Sequence, residues 1–163
     1  MAKNKDEKTN VMRTLEQKGI PYTAHAYEHE EGVAVDGVTV AASLGQDPEQ
    51  VFKTLVARGA SRGIYGFVIP VADSLDLKKA ARAVGEKSIE MVAVKEINGL
   101  TGYVRGGCSP VGMKKQYPTV FHETAEIIDT IMVSAGKIGL QVELEPQALI
   151  GLVGGGVADI TVE

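Results

Sequence analysis

Apolar positions along the chain fall into two spacings. Val11, Met12 and Leu15 recur three and four apart, the period of one helix face, with Thr9 or Asn10 able to cap the helix, Gly19 to end it and Pro21 beyond. Residues 22–27 alternate and predict a strand, and residues 36–44 predict a short helix closed by Gly45. Asp47-Pro48-Glu49 starts a single turn with proline at its first position. Residues 51–57 and 64–71 are apolar and β-branched, joined through a glycine-bounded turn at 59–63, which predicts a hairpin. Asp76 can cap a helix over 77–84, with Gly85 past its end.

The remainder predicts a short strand at 88–92, a helical turn or two at 94–100, and a strand at 103–105 that runs into the loop Gly106-Gly107-Cys108-Ser109-Pro110. Three further strands follow at 119–123, 130–134 and 140–144, then a closing helix at 146–153. Strands outnumber helices and sit too close together for a regular strand–helix–strand series. The expectation is an α/β fold with a mixed, curved, barrel-like sheet and helices packed outside.

The length of 163 residues fits one domain, 9–163, behind a flexible polar tail at 1–8. With no tryptophan and 5% aromatic residues, the core has to be built from Val, Ile, Leu and Ala. The lone cysteine, Cys108, rules out an internal disulfide and fits a reducing compartment. No apolar run is long enough to span a bilayer, and the polar start does not resemble a secretory leader, so a cytoplasmic protein without a membrane partner is expected. A net charge of −4 argues against non-specific coating of nucleic acid. It leaves room for an enzyme that grips only the end of an RNA.

Candidate chemistry is sparse. Alternation places Lys53 beside Val51 and Leu55 on one strand face, with Phe52, Thr54 and Val56 opposite. A lysine between two apolar faces is costly unless it points into a cleft or reaches out to water; guarding a sheet edge is the plainer alternative. Paired Gly106 and Gly107 free backbone amides for close approach to a ligand, or simply make a tight turn with Pro110. Ser134-Ala135-Gly136-Lys137 reads either as a hairpin connection or as a pocket wall. Cys108 has no histidine tied to it by spacing and reads as structural. His25 and His29 straddle a strand end without a carboxylate or cysteine partner, so no metal site is expected, and no Ser/His/Asp signature is present. Lys78, Lys79 and Arg82 form one basic patch and Lys114-Lys115 a second, either solvated faces or the walls of an anionic ligand's cleft.

Taken in order, Tyr27-Glu28-His29, Val51-Phe52-Lys53-Thr54-Leu55, Leu75-Asp76-Leu77-Lys78-Lys79-Ala80, residues 101–110 and Ser134-Ala135-Gly136-Lys137 resemble the YbaK family of aminoacyl-tRNA deacylases, in particular its Cys-tRNA(Pro) branch. The resemblance covers nearly the whole chain. It implies a mixed, barrel-like α/β fold, no cofactor, no metal, and a substrate in the acceptor end of tRNA(Pro) mischarged with cysteine, with prolyl-tRNA synthetase as a partner. It carries an essential lysine onto Lys53 and a substrate pocket onto Tyr27, Thr54, Gly106, Gly107, Cys108, Ser109, Pro110, Ser134, Ala135, Gly136 and Lys137. Gly106 and Gly107 amides are the expected oxyanion donors, and the thiol of the substrate the expected nucleophile. There are two departures from the family pattern: Val35 and Asp36 stand where an aromatic is frequent, and Gln141 where aspartate is. A deacylase for alanyl- or another small aminoacyl-tRNA, and a non-catalytic module that binds aminoacyl-tRNA or a synthetase, are the alternatives.

Overall fold

A computed structural model describes residues 8–30 and 33–162. Residues 1–7 of the expected tail lie outside that range, as do 31, 32 and 163.

Helix α1 (Asn10–Gln17) begins where Thr9 accepts a hydrogen bond from the Met12 amide, and it buries Val11, Met12 and Leu15. Strand β1 (Thr23–Ala26) follows, then helix α2 (Gly37–Ser43), capped by the Asp36 carboxylate on the Thr39 amide. The hairpin is β2 (Phe52–Gly59) and β3 (Ile64–Pro70), antiparallel with Lys53 opposite Ile69. Helix α3 (Leu77–Val84) starts on Asp76, which accepts from the Lys78 and Lys79 amides, and stops at left-handed Gly85. Strand β4 (Ile89–Met91) and helix α4 (Val94–Thr101) lead into a long loop. The chain closes through β5 (Thr119–His122), β6 (Ile131–Ser134), β7 (Leu140–Leu144), α5 (Pro146–Val153) and β8 (Gly156–Ala158).

The mixed α/β architecture is the expected one, with the strands divided between two sheets. One has the order β1-β7-β6, the other β4-β2-β3-β5-β8. A parallel bridge between Val51 and Met132 joins them. The larger sheet is mixed, because β3, β5 and β8 run parallel while β2 opposes β3 and β4.

Alternation gives each sheet two differently covered faces. Phe52 and Val68 meet Val133, Val142, Leu144 and Phe121 in the largest core, which α1 and α5 close with Leu15, Leu149 and Ile150. On the other face, Leu55, Ala57, Phe67 and Ile69 pack against Ala80 and Ala81 of α3. Further along that face, Val51, Val71 and Met132 pack against Ala41 of α2.

Two elements differ from expectation. Residues 103–105 are not a strand: the Tyr103 amide donates to the Thr101 hydroxyl, its own hydroxyl donates to the Val111 carbonyl, and Gly107 turns back onto Val104. These bonds occupy the groups that a neighbouring strand would need. β8, beyond the last predicted element, was not expected; it pairs in parallel with the edge that β5 offers.

The Asp76 cap satisfies two amides at the start of α3. Asp76→Ala is expected to lower stability by about 1 kcal/mol, read as a fall in the urea unfolding midpoint at constant slope.

Candidate functional site

Lys53 sits between the two helix-covered patches of one sheet face. Val51, two residues before it, lies under α2, and Leu55, two residues after it, lies under α3. Lys53 itself is half-buried. It makes no hydrogen bond or ion pair among the described residues; the nearest counter-charge acting on it is Asp73, in the β3–α3 connection. Burial pulls its ammonium below the usual lysine range, and Asp73 offsets part of that shift. Lys53 thus stands on the strand stretch between the residues packed under α2 and those packed under α3.

The smaller sheet extends the same face. Val51 bridges Met132, and two residues along each strand stand Lys53 and Ser134. Ser134 is paired with Gln141, and Gln141 with His25. Ile131, Val133, Leu140 and Val142 point to the opposite side, into the main core. The face toward α2 thus carries Lys53, Ser134, Gln141 and, beyond His25, the buried Tyr27, which packs with Val40 and Ile138. Oε1 of Gln141 is buried with no hydrogen-bond partner among the described residues, a state that costs about 1–3 kcal/mol. Thr54 Oγ1 is also buried and unpartnered among them, but it lies opposite Val68 on the core side. The structure therefore separates Thr54 from the Lys53 face.

The two glycine loops meet at the edge of this face. A Cβ on Gly107 would lie 3.0 Å from the Lys137 Cα and 3.1 Å from the Ile138 amide nitrogen, so glycine lets the loops close without a shift of the Lys137 backbone. Gly106 has φ +87°, and a Cβ there would strike the Ala34 Cβ at 2.7 Å. These approaches set the 106–107 turn on the connection from β6 to β7 and beside the chain entering α2. Of the two amides expected as oxyanion donors, Gly107's is taken by the Val104 carbonyl at 2.9 Å. Gly106's has no partner among the described residues. The Gly136 amide donates to the Ser134 hydroxyl at 3.1 Å, which fixes that hydroxyl's position.

The rest of the glycine-rich segment is packing. Ser109 is fully buried and accepts from the Val111 amide at 3.2 Å, and Pro110 is buried beside it. Ala135 belongs to the main core. Cys108 is half-buried against Thr101 and Tyr103. Burial pushes its thiol up to about 11, with the Thr101 hydroxyl offsetting little of the shift. Of the two positions that depart from the family pattern, Asp36 caps α2, accepting also from the Thr39 hydroxyl at 2.6 Å, and Gln141 faces Lys53's side.

His122, Glu123 and Asp159 come within 4.8 Å of one another through their ligand atoms. Both ring nitrogens of His122 are engaged, Nδ1 by the Ile160 amide at 3.2 Å and Nε2 with the Thr161 hydroxyl at 3.3 Å. Lys79 holds Asp159 at 3.0 Å. The group is a clamp for the C-terminal segment.

Residues 31–152 match the aminoacyl-tRNA editing domain. The chain is 47% identical over 162 residues, 99% of its length and 98% of the relative's, to EbsC of Enterococcus faecalis (strain ATCC 700802 / V583), a protein named for a proposed Cys-tRNA(Pro)/Cys-tRNA(Cys) deacylase activity. A solved structure described as a proposed trans-editing enzyme for prolyl-tRNA synthetase superposes with a TM-score of 0.79 at 26% identity, covering 96% of this chain and 100% of that one. A hypothetical protein of known structure, at 22% identity, shares the fold with a TM-score of 0.84 over 94% of this chain and 100% of its own. The chain belongs to the YbaK-type aminoacyl-tRNA editing family.

A thiol at about 11 holds roughly 100-fold less thiolate near pH 8 than one at the ordinary value of 9.0. Labelling of Cys108 by iodoacetamide at that pH should be correspondingly slow and should accelerate as pH approaches 11. Cys108→Ala should retain deacylation; rapid labelling together with loss of activity in that variant would make the residue a nucleophile.

Proposed function

We propose that this chain hydrolyses the ester joining a wrongly attached amino acid to tRNA, with cysteine on tRNA(Pro) its principal substrate. The observation that supports this most is Lys53: a half-buried cation with no bonded counter-ion among the described residues, on the face that carries Ser134 and the Gln141 carbonyl, which has no partner among them. The sequence likeness to EbsC over 99% of the chain supports the same chemistry. A synthetase pocket for proline discriminates poorly against a small residue of similar size. A separate hydrolase removes the resulting error.

An aminoacyl ester is already activated, so orientation and charge stabilisation carry most of the catalysis. In this reading the substrate's own thiol, deprotonated, attacks its carbonyl carbon. A carbon–sulfur bond forms, the carbon–oxygen bond to the ribose breaks, and the ribose oxygen leaves with a proton. Water then opens the cyclic thioester to free cysteine. Lys53 and the Gly106 amide stabilise the negative charge that builds on oxygen, and Gln141 with Tyr27 receives the α-ammonium group. Ser134 and the backbone of Lys137 wall the aminoacyl pocket. We infer that the mischarged tRNA reaches this site after leaving prolyl-tRNA synthetase.

Two experiments test the reading. Lys53→Ala should fold as the wild type and lose about 100-fold or more in kcat, with Lys53→Arg also poor, because a planar guanidinium does not replace a compact ammonium. A near wild-type rate in Lys53→Ala would remove the residue from the mechanism. In a side-by-side panel, Cys-tRNA(Pro) should be deacylated far faster than Ser- or Ala-tRNA(Pro). Preference for alanine would instead favour the sibling specificity, and no turnover at enzyme excess would favour a binding module.

A further inference from the structure

We propose that the cleft between α3 and β4 is where the sugar–phosphate backbone of the RNA lies while its aminoacylated end occupies the Lys53 site; the proposal rests on the tRNA reading above. The cleft presents three cations, Lys78, Arg82 and Lys87, over an apolar floor of Leu77, Ala81 and Ile89. Lys78 and Arg82 stand one turn apart on α3 and so project from one side of the helix, with Cβ atoms about 5–6 Å apart. That spacing is of the same order as successive phosphates on one strand. Lys87 follows the Gly85 stop and brings the third charge from the other wall.

None of the three pairs directly with an acid among the described residues, although Glu86 leaves one negative charge in the same cleft. All three side chains are exposed, and none enters an ion pair among the described residues. Glu86 also lines the cleft, but its carboxylate is engaged elsewhere: it accepts from the Ser61 amide at 3.0 Å, from the Ser61 hydroxyl, and from the Tyr65 hydroxyl at 2.6 Å. It reaches them by lying over Gly59, where a Cβ would collide with it. Glu90 is opposite Arg58 in the ladder and acts on that guanidinium, on the other face of β4 from Ile89. The Asp76 carboxylate is bonded to backbone amides. Lys79, by contrast, is tied to Asp159 and to the Thr161 carbonyl.

A chain of net charge −4 thus gathers three cations against one carboxylate in one concavity, with none of the three ion-paired among the described residues. Several separated positive charges above apolar carbon suit a polyanion with exposed sugars better than a single small acid. The position fits as well. Asp73 acts on Lys53, and Lys78 is five residues further along, within roughly 18 Å by chain reach. This places the first of the three cations on the stretch of chain that leads from Asp73 into α3. A second cleft, lined by Asp47, Glu49 and Asp129, carries the opposite charge and would repel RNA.

The test uses the full chain as K78Q/R82Q/K87Q and as K78E/R82E/K87E, with circular dichroism and thermal melting to confirm folding. Each is assayed on Cys-tRNA(Pro) and on a cysteinyl-CCA trinucleotide between about 50 and 300 mM salt. Each lost phosphate contact should remove about 0.7–0.9 from the slope of log(kcat/KM) against log[salt], so the neutral triple variant should flatten the wild-type slope by about 2. The ratio of kcat/KM on tRNA to that on the trinucleotide should fall about tenfold or more in both variants. An unchanged slope and ratio in both would overturn the proposal while leaving the deacylase reading intact. Failure of the wild type on both substrates would overturn that reading, and this proposal with it.

Discussion

A lysine on an apolar sheet face carries a desolvation cost. Burying it without a counter-ion would cost several kcal/mol; Lys53 is half-buried, with Asp73 acting on it, between the residues packed under α2 and those packed under α3. α2 ends its cover at Val51 and Met132, and α3 begins its cover at Leu55 and Ile69. Hairpin register fixes the point at which this happens, because Lys53 is locked opposite Ile69. A slip of one residue would send Lys53 into the main core and bring Thr54 to its place. Ladder geometry and the desolvation of one ammonium therefore decide together where a polar ligand can enter.

The second sheet and the loops complete that entrance. The bridge at Val51 and Met132 carries the Lys53 face onto β6 and β7, so Ser134 and Gln141 arrive on the lysine's side by alternation alone. The glycine loop closes the edge because Gly107 has no side chain to hold it off the Lys137 backbone. Beneath it, the Tyr103 hydroxyl on Val111 and the Ser109 hydroxyl on the Val111 amide hold the loop down. Cys108 is part of this underside, and its neutral thiol suits packing rather than attack. The chemistry is left to the substrate's own atoms, one ammonium and backbone dipoles.

Most of the fold was legible locally. Caps at Thr9 and Asp76, and glycines at 19, 45 and 85, marked helix ends because each satisfies or releases specific backbone groups; Asp36, read as the first helical residue, is the cap of α2. The failures were non-local. Residues 103–105 have strand-like composition, yet their backbone groups are used within the loop, and β8 exists only because β5 presents an edge. The placement of Lys53 on a two-faced strand was readable from alternation. Its position between α2 and α3 was not, because both helices are brought there by tertiary packing. Asp73 carried no sequence signal: it is one acid in a polar connection until the hairpin sets it near Lys53. Gln141 stood out only as a departure from the family pattern; that its carbonyl is buried and unpartnered among the described residues needed the pairing of β6 with β7.

The central question is which form of Lys53 works. Its pKa lies below the ordinary 10.5 because burial disfavours the ammonium more than Asp73 favours it. The decisive measurement is the alkaline limb of kcat/KM for Cys-tRNA(Pro) deacylation, corrected for spontaneous ester hydrolysis, in the wild type and in Lys53→Arg. If the ammonium stabilises charge on oxygen, the rate falls as pH rises through a pKa below 10.5, and in Lys53→Arg, whose cation persists, the weaker activity loses that limb. A wild-type rate that instead climbs through the same range, as a neutral amine acting as general base would require, would contradict the role assigned to Lys53.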